Sequence, residues 1–99
     1  MRYAVILEDK ALREAREAYN FYEKRQEGLG DKFKKELDKS ITRIQENPKL
    51  HRKIKQEIRQ ALLYKFPYVI VYEITGATII VYAVFHTNRN PQKKFRTTE

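Results

Sequence analysis

The stretch YVIVYEITGATIIVYAVFH, residues 68–86, decides the fold of this chain. Two apolar runs rich in β-branched and aromatic residues flank a short turn at Thr75-Gly76, which is the pattern of a β-hairpin. The runs, residues 68–74 and 78–86, are apolar on both of their faces. They therefore predict central strands of a sheet that is covered on both sides.

Further strands lie outside this hairpin in the sequence. Between residues 58 and 66 alternate side chains fall on two faces, which is the period of an extended segment. Phe66-Pro67 then predicts a turn into the hairpin, so that three consecutive strands form an antiparallel meander. At the amino terminus RYAVIL, residues 2–7, predicts one more short strand, which we expect to lie inside the sheet.

Two amphipathic helices occupy the region between these strands. Over residues 8–26 apolar side chains recur at steps of three and four, with Asp9 as a candidate cap and Gly28 as a left-handed stop. After this turn the same spacing continues from Phe33 until Asn-Pro at positions 47–48 ends the second helix. Because the connection is so short, the helices should form an antiparallel hairpin.

The order of elements predicts an α+β domain: a strand, an antiparallel helix hairpin, then a three-stranded antiparallel meander, forming one sheet packed on the two helices. A chain of 99 residues is expected to be one domain, residues 1–99. It contains no cysteine and two histidines, so neither a metal nor another cofactor is expected. The first residues lack the ~20 apolar positions of a membrane span, so we expect a cytoplasmic protein without a membrane partner.

The charge balance points to a negatively charged partner. Lysine and arginine total 21 against 13 acidic residues, which gives a formal net charge of +8. Such an excess favours binding to nucleic acid, the ribosome or an acidic protein segment.

Four segments resemble the toxins of the RelE/ParE superfamily of plasmid stabilisation systems, in order and in spacing. They are YNFYEKRQEGLGDKF at 19–33, IQENP at 44–48, YKFPYVIVYEI at 64–74 and AVFHTNRNP at 83–91. The FPY turn and the H-x-x-R-x-P ending are the most specific parts. The resemblance implies a small bacterial toxin of a type II toxin-antitoxin system, silenced by a cognate antitoxin that wraps the basic domain. One branch of these toxins cuts messenger RNA on the ribosome, and another inhibits DNA gyrase without being a nuclease.

Arg59, Lys65, His86 and Arg89 are the candidate catalytic residues for a metal-independent endoribonuclease. RNA cleavage by the 2′-hydroxyl needs a proton acceptor and donor and cations for the phosphate, roles that His86 and Arg89 fit chemically. Arg59 and Lys65 are an even number of residues apart and should share a strand face. If that strand adjoins the strand ending at His86, the four line one basic cleft. The alternatives are a strand-end histidine bonded to the neighbouring loop and cations that are simply solvated.

Three positions depart from the nuclease branch of the resembling family. That branch carries an arginine near the start of the strand after the turn, where this chain has Val69, and two basic residues on the preceding strand, where it has Gln60 and Leu62. These departures favour the gyrase-inhibiting branch, or a non-toxic relative that binds nucleic acid or protein. In either case we expect the antitoxin to lay an acidic amphipathic segment along the sheet or the helix hairpin.

Overall fold

The computed structural model describes residues 2–87, in which five strands form one mixed sheet packed against two helices. The sheet order is β1-β5-β4-β3-β2, with β1 parallel to β5 and the other neighbours antiparallel. Along the chain the elements are β1 (Ala4–Leu7), α1 (Asp9–Arg25), α2 (Leu29–Glu46), a 3₁₀ turn (Pro48–Leu50), β2 (Lys53–Lys55), β3 (Ile58–Leu62), β4 (Tyr68–Thr75) and β5 (Thr78–His86).

The predicted α+β class is confirmed, together with the helix hairpin and the β3-β4-β5 meander. Two details differ from the prediction. The additional short strand β2 borders β3, and β1 lies at the opposite edge of the sheet instead of inside it. β1 is an edge strand because only β5 pairs with it. Its exposed and half-buried side chains alternate along the strand.

The predicted central hairpin is confirmed, and both of its faces are buried. On the face toward the helices, Ile70 and Tyr72 of β4 are fully buried and pack in the main core. On the other face a second apolar cluster packs against the side chains of Ile54 and Ile58, and it comprises Val69, Val71, Ala83 and Phe85. The apolar character of both faces therefore has a direct structural counterpart.

The first strand of the meander, β3, ends earlier than its alternation suggested. β3 stops at Leu62, and the Leu63 amide then donates to the Tyr68 carbonyl at 3.0 Å, closing the turn before β4. Within this turn Lys65 has φ +71°, a left-handed conformation that is uncommon for a residue with a Cβ. Because the chain reverses here, residues 63–66 do not continue the strand.

The two helices are joined by a turn that brings their backbones into contact. The Glu23 carboxylate accepts hydrogen bonds from the amides of Gly28 and Gly30, both at 2.9 Å, and so caps the start of α2. Gly28 has φ +87°, as the predicted left-handed stop requires. Asp9, expected as a cap, is instead the first residue of α1, and Glu8 at the cap position makes no side-chain cap bond.

Helix α1 also covers the part of β5 that β1 does not reach. The β1–β5 pairing ends at Leu7 opposite Val81, so the next amide on that edge of β5 lacks a strand partner. The Glu14 carboxylate fills this place by accepting from the Val84 amide at 2.8 Å. One side chain thus ties the helix layer to the sheet edge.

Neither helix in the described range is long and apolar enough to cross a membrane.

Replacing Gly30 by alanine should destabilise the fold by about 1–2 kcal/mol. An added Cβ would lie 2.8 Å from the Tyr19 carbonyl oxygen and 2.9 Å from a Glu23 carboxylate oxygen. The gain of about 1 kcal/mol in helix propensity does not offset this overlap and the disturbed cap. Urea unfolding of Gly30→Ala measures the change, with exposed Lys35→Ala on the same helix as a control expected within about 0.5 kcal/mol of the parent. Equal stability of both variants would refute close helix contact at Gly30.

Candidate functional site

Arg59 holds the loop before β2 against the sheet. Its guanidinium Nη1 donates to the carbonyl oxygens of Lys49 at 3.1 Å and His51 at 2.7 Å. On the neighbouring strand, the buried Tyr72 hydroxyl donates to the Pro48 carbonyl at 2.6 Å. These three hydrogen bonds hold successive residues of one loop in place, so the Arg59 guanidinium stabilises the position of this loop.

The pKa values of Tyr72 and His51 are shifted by burial and by nearby arginines. Burial raises the pKa of Tyr72 to about 12, although the Arg59 charge opposes the shift. Burial first, then the charges of Arg43 and Arg59, lower the pKa of the His51 imidazole. At neutral pH the Tyr72 hydroxyl is therefore protonated, and the neighbouring arginines and burial favour the uncharged form of the His51 imidazole.

His86 lies at the other end of the sheet from Arg59. It ends β5 opposite Tyr68, and the two rings meet edge to face with centroids 5.3 Å apart. Arg59 pairs with Tyr72, four residues further along β4 and hence roughly 13 Å away along the strand. The condition for one basic cleft, that the strands of Arg59 and His86 adjoin, is not met, because β4 lies between β3 and β5.

The third candidate, Lys65, lies in the turn before β4, at the end of the sheet where His86 ends β5. The prediction that Lys65 shares a strand face with Arg59 is wrong, because β3 ends before Lys65, which lies in the following turn. Its ammonium is 3.9 Å from the Glu36 carboxylate. Arg89 lies outside the described residues. The single basic cleft is therefore not formed by Arg59, Lys65 and His86, and the catalytic role of each candidate stays a prediction.

The three departures from the nuclease branch lie together on the sheet face that points away from the helices. Val69 is 3% exposed and pairs across the sheet with Leu62. Gln60 pairs with Val71, which is also buried. At these positions β3 and β4 offer two aliphatic side chains and an amide, none of which can neutralise a phosphate.

A groove between the two helices was missed by the sequence reasoning. It has a volume of about 520 Å³, and Leu12 on its wall is 46% exposed although it belongs to the apolar stripe of α1. The signal available in the sequence was the width of the apolar stripes of α1 and α2, which is greater than the surface that the two helices cover on each other. The groove is lined by Leu7, Leu12, Ala15, Arg16, Tyr19, Asp31, Phe33, Lys34, Leu37, Asp38 and Ile41.

Among residues 2–87 no group of three or more histidine, aspartate and glutamate side chains is arranged to hold a metal ion.

A family model described as the ParE toxin of the type II toxin-antitoxin system parDE matches residues 5–91. The chain belongs to the ParE toxin family. The resemblance to the RelE/ParE superfamily is thereby confirmed, and the match makes the chain a ParE toxin of a type II toxin-antitoxin system. Membership implies a cognate ParD antitoxin as partner.

A solved structure of a chromosomal ParDE TA system from P. aeruginosa is similar to this ParE family member with a TM-score of 0.75. The alignment covers 86% of this chain and 96% of that chain at 12% sequence identity. At this identity the likeness supports the fold. The comparison with curated proteins finds no match.

In this ParE family member, Arg59→Gln should lower the free energy of unfolding by about 1–2 kcal/mol, because hydrogen bonds from a charged donor to two carbonyls are lost. The control is Arg52→Gln, which removes the same charge from an exposed side chain in the same loop and should change stability by less than about 0.5 kcal/mol. Chemical denaturation followed by circular dichroism measures both. If Arg59→Gln proves as stable as Arg52→Gln, the two hydrogen bonds do not hold the loop.

Proposed function

We propose that this ParE toxin arrests bacterial growth by binding DNA gyrase and not by cutting RNA. The observation that carries the proposal is the aliphatic pair Val69 and Leu62 at positions where the nuclease branch of the superfamily has cations. A toxin that acts by binding needs a complementary surface but no group that reacts. The proposal further takes residues 1–99 as one toxin domain, without a cofactor, acting in the bacterial cytoplasm where gyrase works.

The distribution of the candidate residues also supports binding over catalysis. Cleavage by the 2′-hydroxyl requires cations and a proton acceptor within hydrogen-bond reach of one phosphate. Arg59 is occupied by two backbone carbonyls and His86 lies roughly 13 Å further along the sheet. Transition-state stabilisation depends on groups that converge before the reaction starts, so such a spread set gives little rate enhancement.

We infer that the antitoxin places an acidic amphipathic segment in the groove between α1 and α2. The floor of this groove is apolar, with Leu7, Ala15 and Leu37 among its residues. The exposed Leu12 gives an amphipathic partner additional apolar surface to cover. The rim carries both signs of charge, so long-range attraction for an acidic segment comes from the net charge of +8.

Induction of the toxin without its antitoxin should stop growth and reduce plasmid supercoiling, and purified toxin should inhibit gyrase in a supercoiling assay. A map of messenger-RNA 5′ ends taken just after induction should contain no new ends at fixed codon phase. His86→Gln should retain toxicity, because a binding toxin does not use this imidazole as an acid or base.

Three results would contradict this function in different ways. New codon-phased 5′ ends that disappear in His86→Gln would identify a ribosome-dependent endonuclease. Growth arrest with neither new ends nor gyrase inhibition would point to a different binding target. Healthy growth with the folded protein present would indicate a non-toxic relative.

Leu12→Asp should weaken antitoxin binding about 10-fold or more, because it removes the leucine surface still open to the antitoxin, whose burial is worth about 1 kcal/mol, and places a carboxylate against an acidic partner. Leu50→Asp is the matched control, since Leu50 is 77% exposed and lies outside the groove. Isothermal titration with the product of the neighbouring antitoxin gene gives both affinities. Equal affinities of the two variants would place the antitoxin elsewhere on the toxin.

A further inference from the structure

A second, strongly basic pocket lies between α2 and the turn before β4. It has a volume of about 370 Å³ and carries four ammonium groups and one carboxylate, a net charge of +3. Its position is set by the turn, whose left-handed Lys65 reaches toward α2. The pocket is lined by Lys32, Lys35, Glu36, Lys39, Lys65 and Phe66.

The ammonium groups of this pocket are only loosely engaged. The Glu36 carboxylate, in a residue that is 7% exposed, lies 3.8 Å from the Lys39 ammonium and 3.9 Å from that of Lys65. Charge-assisted hydrogen bonds are usually about 2.7–2.9 Å long, so both cations keep donors for another anion. Lys32 and Lys35 form no ion pair with any residue in the range 2–87. Glu36 therefore draws Lys39 and Lys65 together and offsets only one of the four positive charges.

An aromatic platform continues this row of cations. With a rise of about 1.5 Å per residue, Lys32, Lys35, Lys39 and Arg43 follow one another along α2 at steps of roughly 4.5–6 Å. The Arg43 guanidinium lies over the Tyr64 ring, 4.2 Å from its centroid. Tyr64 is nevertheless 61% exposed, so this stacked pair offers a flat surface to solvent at the end of the row.

We propose that this face of α2 binds single-stranded nucleic acid, with phosphates at the lysine pocket and a base stacked on the Arg43–Tyr64 pair. Aromatic and guanidinium planes stack on the faces of unpaired bases, and a cationic row follows the backbone. A duplex hides its base faces and would use only the lysines. An acidic protein segment would pair its carboxylates with the lysines and with Arg43, but it has no base to stack on the Tyr64 ring.

The proposed site is separate from the antitoxin groove and goes beyond the proposed action on gyrase. The groove is lined by Lys34, Asp38 and Ile41 of α2, whereas the pocket is lined by Lys32, Lys35 and Lys39. At 3.6 residues per turn the centres of these two sets lie roughly 125° apart around the helix, so the groove and the pocket face different sides. Binding of a nucleic acid strand is therefore measurable whether or not the toxin inhibits gyrase.

The test measures fluorescence anisotropy of the full chain with labelled single strands of about twelve nucleotides, within the usual site size. The DNA and RNA forms of one mixed sequence distinguish the source of the strand, and binding of either form supports the site. Contact with three phosphates of a single strand gives a slope of about −2 for the logarithm of the binding constant against the logarithm of the salt concentration. Raising NaCl from about 50 mM to about 200 mM should therefore weaken binding about 20-fold.

The triple variant Lys32→Gln, Lys35→Gln, Lys39→Gln should lose most of this affinity and most of its salt dependence. A control triple variant, Lys24→Gln, Lys49→Gln, Lys55→Gln, removes the same charge from exposed residues outside the pocket and should bind within about threefold of the parent.

The stacked pair is tested independently by Tyr64→Ala, which should weaken single-strand binding about fivefold or more and leave binding to a duplex of the same sequence unchanged. Tyr64→Phe should restore the parent affinity, since it keeps the ring. Circular dichroism verifies that each variant is folded.

Several outcomes would overturn the proposal. Equal losses in the two triple variants would mean that affinity reflects the net charge alone. Duplex binding as tight as single-strand binding, or no effect of Tyr64→Ala, would remove the role of the stacked pair. Equal competition by polyglutamate of matched charge would assign the pocket to an acidic protein segment.

Discussion

The antiparallel pairing of β4 with β5 is the constraint on which the remaining structure depends. Eight residue pairs join the strands, from Tyr68 opposite His86 to Thr75 opposite Thr78. Because the hairpin is apolar on both faces, it is stable only when each face is covered. The parallel strand β1 lies beside β5, and the chain between them runs through the helix hairpin and then through β2, β3 and β4. The helices bury one face of the sheet, and residues of β2 and β3 pack on the other.

Elements with a strong local period were predictable, and elements defined by their neighbours were not. The helices and the central hairpin were predictable because the spacing of their apolar residues is visible within each segment. The strand β2 has only three residues, Lys53–Lys55, and exists because β3 provides a partner. β1 looked internal because its composition is apolar, yet strand order depends on which edge the crossover reaches. Lys65 adopts a left-handed backbone conformation that a lysine side chain does not favour. The early end of β3 therefore had no signal at this position of the sequence.

The candidate site shows the same limit in chemical terms. From the sequence Arg59 is a cation on a strand, available to any anion. In the fold two carbonyls of a loop eight and ten residues earlier take up its guanidinium. The distance between Arg59 and His86 likewise depends on the strand that lies between theirs. The sequence alone shows that Val69 carries no charge, because residue type is a local property. It does not show which of the cationic side chains lie close together in the fold.

Helix α2 carries two surfaces whose proposed occupants would act almost independently. The apolar groove lies on one side of the helix and the lysine pocket on a different side. A helix with its side chains is about 10–12 Å wide, which exceeds the screening length of about 8 Å at physiological ionic strength. An acidic antitoxin segment in the groove therefore neither covers the lysines sterically nor neutralises them strongly through space. On this geometry, an antitoxin segment bound in the groove would not by itself release a strand held at the lysine pocket, and silencing of the toxin would then require antitoxin contact with the surface that engages the target.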